Sequence, residues 1–387
     1  MSGSPERHIS VISSDMWLDR PHGASVIKMF ERLAEVRGWD IDLFIFSVEE
    51  VEDRRNSLRI HGLKVPNNLK ESSSSYYLYV ASESLKLMRR TTGTIIFDYP
   101  LIPSFIAAKI LNRNLHSIAL VLSRPIYNNP FHPKNLAYRI SLLMGRFFVD
   151  RFTAITPFEV EEIGKLVGKD RVVMLPSVLA PEFLDPPDNC EDLLQKYLDD
   201  YSLEFIESGE KILLYHGILD ERRGIEKILR SFTEAFKEDD ISLAFLGKGS
   251  AVPLVMKYQE RSTKIRYLGN VPLSVVPCII QLASVGIAWL PDEPRWRYQL
   301  PIKVLEFMAM EKPFITSNLP GISWAVGKCP LAIYQGEMSP ESLKESMSKA
   351  FEAKDPSNLC RKRAKSFSAD NIAKSLEEVI ELIDSVV

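Results

Sequence analysis

Short apolar segments alternate with amphipathic segments along this chain, the pattern breaks once, and then it restarts. Residues 8–13 (His8-Ile-Ser-Val-Ile-Ser13) read as a first strand, residues 14–23 as a loop, and residues 24–37 as a helix with Val26, Met29, Phe30 and Leu33 on one stripe. Strands at 41–46, 94–97, 117–122, 153–156 and 172–175 follow, with a helix at 104–111 and an amphipathic segment at 135–152. Strand and helix alternating at this spacing predict a parallel sheet covered by helices on both faces. Pro176, Pro181, Pro186 and Pro187, then Asp185, Asp188, Glu191 and Asp192, mark a linker composition, and a helix over about 192–203 could belong to either side of it. The alternation then resumes with strands at 211–216, 241–246, 265–268, 285–290, 314–316 and 331–334, and a helical tail from 340 onward. At 387 residues, two domains are expected.

The expected fold is therefore α/β, with two Rossmann-like halves meeting across a cleft, where small ligands bind at strand carboxyl ends. The net charge of −3 is uninformative, but its distribution is not: between 101 and 149 there is no Asp or Glu, against Lys109, Arg113, Arg124, Lys134, Arg139 and Arg146. That pattern fits a local anionic partner and not bulk nucleic-acid binding. Cys190, Cys278, Cys329 and Cys360 are far apart in sequence and form no CxxC pair, so they read as reduced thiols of a cytosolic protein. The first residues are polar and acidic, unlike a signal peptide, and no apolar run is long enough for a membrane span. A soluble, cytoplasmic chain, or one attached only to a membrane surface, is expected.

The chemistry is concentrated in Pro301-Ile-Lys-Val-Leu-Glu-Phe-Met-Ala309, a proline-opened helix after a strand and a polar loop. Lys303 and Glu306, three apart, share a face; a cation and a carboxylate there would hold a phosphate and a sugar hydroxyl, which points to a nucleotide sugar. The plainer alternative is a solvated surface pair. Arg222-Arg-Gly224 opens a helix, where a phosphate meets both guanidinium and free amides; a solvated arginine is the alternative. Gly247-Lys-Gly249 lacks the third glycine of a dinucleotide fingerprint and reads as a tight turn that lets backbone approach a ligand. Asp40-Ile-Asp42 is a polar strand entry and not a metal motif. HExxH, P-loop and GxSxG motifs are absent, and the six histidines are scattered.

In order and spacing, these elements resemble glycosyltransferase family 4, retaining GT-B enzymes that use nucleotide-sugar donors. Tyr215-His-Gly-Ile-Leu-Asp-Glu-Arg-Arg-Gly224 is similar to the family's Gly-Arg-Leu…Lys-Gly element. Ala244-Phe-Leu-Gly-Lys-Gly249, Arg266-Tyr-Leu-Gly-Asn270, Leu300-Pro-Ile-Lys-Val-Leu-Glu-Phe-Met-Ala309 and Lys312-Pro-Phe-Ile-Thr-Ser317 follow in family order. There are departures. Ile218 stands where an Arg is usual, Arg223 replaces a Lys, Tyr298 occupies the position of the first of two glutamates, Arg295 and Arg297 add charge to that loop, Ser177-Val-Leu179 replaces Asn-Gly-Val, and Ser123-Arg124 replaces His-Asp.

The resemblance implies an N-terminal Rossmann-like acceptor domain over 1–180, a linker over 181–208, and a C-terminal Rossmann-like nucleotide-sugar donor domain over 209–365. A final helix over 366–387 would pack back toward the N-terminal domain. It implies that Arg223 and Lys303 stabilise the departing diphosphate and that Glu306 holds the ribose. Donor binding would involve Gly23, Gly217, Arg222, Arg223, Gly247, Lys248, Leu268, Asn270, Tyr298, Leu300, Pro301, Ile302, Lys303 and Glu306. Asp98 and Arg124 are acceptor-side candidates, with a structural salt link as the alternative. No metal or cofactor is expected, and the donor would be UDP- or GDP-linked. The acceptor would be a glycan or polyprenyl-linked glycan, reached at an anionic membrane surface if the basic, apolar region 124–152 lies on lipid instead of forming an ordinary core helix. Competing functions are a GT-B-fold epimerase or phosphorylase, and a non-catalytic nucleotide-sugar-binding protein.

Overall fold

A computed structural model describes residues 7–14, 21–69, 73–122, 125 and 127–384. The chain divides into two compact units, one made of Met1–Val178 with Ala369–Val387 and the other of Leu179–Ser368.

The first unit is built on a sheet of β1 (His8–Ser13), β2 (Asp40–Ser47), β3 (Val51–Arg55), β4 (Leu58–Lys64), β5 (Thr94–Asp98), β6 (His116–Leu120), β7 (Arg151–Ala154) and β8 (Val172–Met174). Their order is β3-β4-β2-β1-β5-β6-β7-β8, parallel except for the edge hairpin of β3 and β4. The central strands are apolar on both faces, with Ile9, Val11, Ile12, Ile95, Ile96 and Phe97 fully buried, as a sheet covered on two sides requires. Its helices are α1 (Pro21–Arg37), α2 (Ser74–Arg90), α3 (Ile102–Leu111), α4 (Pro133–Gly145) and α5 (Pro157–Val167). α5 shows how local sequence sets a start and a stop: Thr156 Oγ1 accepts from the Glu159 N–H at 3.3 Å, Pro157 takes the first turn, and Gly168 with φ 104° ends it.

The second unit begins with α6 (Cys190–Tyr197) and α7 (Asp200–Glu207). Then come β9 (Lys211–His216), α8 (Ile225–Ala235), β10 (Ile241–Leu246), α9 (Val252–Gln259), β11 (Ile265–Tyr267), α10 (Val276–Leu282) and β12 (Val285–Ala288). It continues through α11 (Ile302–Ala309), β13 (Phe314–Thr316), α12 (Pro320–Val326), β14 (Ala332–Tyr334), α13 (Pro340–Glu352) and α14 (Leu359–Lys365). The six strands are all parallel, in the order β11-β10-β9-β12-β13-β14. The last helix, α15 (Ala369–Asp384), returns to the first unit, where Ile372, Leu376, Val379, Ile380 and Ile383 join the core of Val26, Met29, Phe30 and Leu33. Asp370 and Glu377 of α15 pair with Arg32 and Arg37 of α1.

Three expectations change. Gly23 lies in the first turn of α1, not in a loop, because the helix opens at Pro21, whose fixed φ and missing N–H suit a first turn. The one helix expected over about 192–203 is two, α6 and α7, and the whole stretch belongs to the second unit. The cysteines are not free thiols: Cys190 pairs with Cys278 and Cys329 with Cys360. Sequence spacing hides such pairs, because folding brings α6 onto α10, and the loop after α12 onto α14. The argument for a cytosolic chain from unpaired cysteines falls with that correction.

Candidate functional site

The second sheet changes direction between β9 and β12, with β10 and β11 on one side and β13 and β14 on the other. At such a reversal the two connections leave in opposite directions and open a crevice beyond the strand carboxyl ends. β9 ends at His216 and β12 at Ala288, so Gly217, Arg223 and α11 all lie at this reversal.

The loops after β9, β10 and β11 are laced together. The Gly217 N–H donates to the Leu246 carbonyl at 2.8 Å, Leu219 to Lys248 at 2.9 Å, Gly247 to Gly269 at 2.7 Å, and buried Leu268 to Phe245 at 2.8 Å. A Cβ on Gly247 would sit 2.0 Å from the Gly217 carbonyl oxygen, and φ there is 127°, so only glycine fits. The Lys248 side chain and Asn270 are exposed.

α11 starts at its N-cap, Pro301, after buried Leu300; Ile302 is half-buried and Lys303 through Ala309 are buried throughout. Lys303 and Glu306 are 6% and 4% exposed, which removes the solvated-pair alternative. The Lys303 Nζ sits 3.3 Å from the centroid of the Tyr215 ring and, among the described residues, has no ion pair or hydrogen bond. The half-buried Arg223 guanidinium lies 5.0 Å from the ring centre of buried Trp296 and is close enough for its charge to act on Lys303. His216 Nε2 is 3.5 Å from Glu306 Oε2 and has no hydrogen-bond partner among the described residues.

Burial dominates the electrostatics. It pushes the Lys303 ammonium well below the usual lysine range, with Arg223 adding and Glu306 opposing. It raises the Glu306 carboxyl to about 8, against the pull of Lys303. Burial and then Lys303 hold His216 well below its ordinary value. At neutral pH, then, Glu306 keeps its proton and its contact with His216 joins two neutral groups, not an ion pair. An anion arriving beside Lys303 would favour the ammonium, and hydroxyl donors beside Glu306 would favour the carboxylate.

The two shifts have opposite consequences for stability. Folded Glu306 holds a proton that the unfolded chain has lost, so it costs stability progressively as pH rises from about 4.5 to about 8. Lys303, depressed in the folded state, gives the reverse slope, which ends at about 10.5. Lys303→Met is therefore expected to expose the Glu306 slope, with a melting temperature that falls as pH rises through that window. Melting curves across pH for this variant and for Lys303→Met/Glu306→Gln check it; equal slopes would mean that Glu306 is not held protonated.

Other expected residues are engaged elsewhere. Arg222 is exposed and bound to Asp220, its backbone N–H and Nε donating to Oδ1 at 2.9 and 2.8 Å. Arg295 meets Glu293 at 2.6 Å and Arg297 meets Asp292 at 2.9 Å. Tyr298 is half-buried, and its carbonyl backs onto Gly321 so closely that a Cβ there would lie 2.7 Å away. In the first unit the connection reverses between β1 and β5. There Asp98 accepts from Ser13 Oγ at 2.7 Å and from the Ser14 N–H at 2.8 Å. Arg124 lies outside the described residues. Tyr215, His216 and Trp296 were not anticipated; the position of His216 directly before Gly217 at a strand end was the available signal.

Residues 210–352 match the family model described as Glycosyl transferases group 1. That segment is a glycosyl transferases group 1 domain. Among solved structures, the chain is similar to sucrose-phosphate synthase of Thermosynechococcus elongatus, with a TM-score of 0.76, 15% identity, and 98% of this chain and 100% of that one covered. It is also similar to Alr3699/HepE of Anabaena in complex with UDP (TM-score 0.67, 11% identity, 97% and 99% covered). A third similar structure is an α,α-trehalose-phosphate synthase (UDP-forming) of Burkholderia vietnamiensis (0.69, 12%, 98% and 98%). At these identities the likeness is one of fold, and the fold is GT-B. No curated protein matches the chain. The domain and the fold together make this chain a glycosyltransferase.

Proposed function

We propose that the chain moves a sugar from a UDP- or GDP-linked donor to a glycan or lipid-linked acceptor, with retention of configuration and without a metal ion. The observation that carries this reading is Lys303, a buried cation at the sheet reversal with Arg223 beside it and no carboxylate bound to it among the described residues. A lone buried charge costs several kcal/mol, roughly, unless something completes it. A donor diphosphate would do so, with Arg223 and Lys303 drawing off the charge that grows as the sugar leaves. Glu306 would accept from the ribose hydroxyls once ionised, and the backbone after Leu246 and Leu268 would border the base and sugar. Glycosyltransferase family 4 chemistry needs no protein nucleophile: the bond from the sugar to the diphosphate breaks, the sugar becomes oxocarbenium-like, and the acceptor hydroxyl attacks on the face the diphosphate is leaving, its proton passing to the departing diphosphate oxygen. The UDP held by the similar Anabaena protein supports a nucleoside diphosphate as ligand. In this reading the chain works at the cytoplasmic face of a membrane, and the two disulfides make the redox state of that compartment part of the test.

Thermal melting against UDP, GDP and their sugars tests the proposal. A ligand of the native state at one hundred times its Kd adds about 2.7 kcal/mol of stability. No shift with any nucleotide would sink the reading. Donor converted without acceptor would indicate an epimerase, and binding without turnover a non-catalytic receptor.

A further inference from the structure

α4 has two apolar faces, and the core uses only one. Tyr138, Leu142 and Gly145 turn inward; Tyr138 and Leu142 pack in the first unit's core, and Gly145 sits so close to Ile102 and Phe152 that a Cβ would meet both at 3.2 Å. Leu136, Ile140, Leu143 and Met144 turn outward at 42–50% exposure, and Phe147 follows just past the helix end at 75%. The four helical positions are spaced i, i+4, i+7 and i+8, one continuous helical stripe, and Phe147 lies in the turn beyond it. Phe131, 83% exposed, lies ahead of the helix, so a bare aromatic ring flanks each end. Lys134, Arg139 and Arg146 are exposed alongside, with no ion pair among the described residues, and the Arg146 guanidinium lies 5.3 Å from the centre of the Phe147 ring. The surrounding stretch, 101–149, contains no acidic residue to offset them.

We propose that the outward face of α4, with Phe131 and Phe147, docks on an anionic lipid bilayer. Apolar side chains rimmed by unpaired cations match the boundary between acyl chains and acidic headgroups, where a helix lies in the plane of the surface. No helix among the described residues is long and apolar enough to cross a membrane, so this contact rests on the surface. A second copy of the chain fits poorly. A two-fold contact sets the same patch against itself, and the stretch 101–149 of the other copy offers no carboxylate to Arg139 and Arg146. The consequence for the acceptor, that it is a lipid-linked glycan presented at that surface, rests on the glycosyl-transfer reading; the docking surface itself does not.

The test is co-sedimentation of the full chain with phosphatidylcholine vesicles, with and without phosphatidylglycerol, at low and high salt. The chain is expected to bind the anionic vesicles only, and less at high salt. Phe131→Ser/Phe147→Ser and Arg139→Glu/Arg146→Glu are each expected to weaken binding at least tenfold, since each surface cation alone is worth roughly fivefold. Melting temperature and the UDP-induced melting shift should be unchanged in both variants, which separates lost docking from lost folding or donor binding. Absence of vesicle binding by the unaltered chain at low salt would overturn the proposal, as would binding indifferent to both variants. A dimer in sedimentation equilibrium that both variants dissolve would overturn it too, by giving the face to a second copy. Vesicle binding without any nucleotide shift would leave the surface standing and remove the donor reading instead.

Discussion

Lys303→Ala is expected to lower turnover by roughly 30- to 1,000-fold, the equivalent of losing one aimed charge worth about 2–4 kcal/mol in the transition state. The unliganded variant should melt no earlier than the parent, because the substitution removes a buried cation that has no ion pair or hydrogen bond among the described residues. Activity and stability therefore move in different directions, which a merely structural lysine would not allow. Arg223→Ala should fall in the same way but less far, since Arg223 is half-buried and water screens part of its charge. Steady-state kinetics with a UDP-sugar, resolved into kcat and KM, together with a melting curve, give the answer. Full turnover in a folded Lys303→Ala variant would remove this residue from the diphosphate site.

Reduction of the two disulfides is expected to produce the largest stability change. Cys190–Cys278 spans 88 residues and Cys329–Cys360 spans 31. By chain entropy these closures restrict the unfolded chain by about 4–5 and about 3–4 kcal/mol. All four cysteines belong to the second unit. A reductant should therefore lower the melting of that unit by many degrees and leave the transition of the first in place. Calorimetry with and without dithiothreitol, with thiol titration before and after, measures both. Four reactive thiols in the untreated native protein would contradict the pairing. The result also bears on compartment, because such bonds persist in oxidising surroundings or inside hyperthermophiles.

Much of this architecture is legible in the residues. Apolar runs such as 211–216 and 241–246 mark strands because a doubly covered sheet demands unbroken hydrophobicity. The pairing of Lys303 with Glu306 on one helix face follows from spacing alone. Their burial does not: α11 carries Val304, Leu305, Phe307, Met308 and Ala309 around them, and only the packed unit shows every side of that helix covered. The hairpin of β3 and β4 escaped notice because an edge strand such as Val-Glu-Asp-Arg-Arg is charged where a buried strand would be apolar. His216 was hidden for a related reason, since its neighbour Glu306 comes from 90 positions away. Arg222 and Arg223 are adjacent and chemically equal, and the carboxylate of Asp220 beside the one and the ring of Trp296 beside the other tell them apart.

The route of the chain has a consequence for how the protein is made. Residues 1–178 emerge first in synthesis, yet α15, which completes their core, comes after the whole second unit. Its five large aliphatic residues contribute on the order of 10 kcal/mol when buried, as much as an entire domain commonly has to spare. During translation the later half can mature before the earlier one, which must wait, incompletely closed, for its last helix. A stop codon near residue 368 would thus release a sound second unit tethered to an unfinished first one, a ready substrate for quality-control proteases.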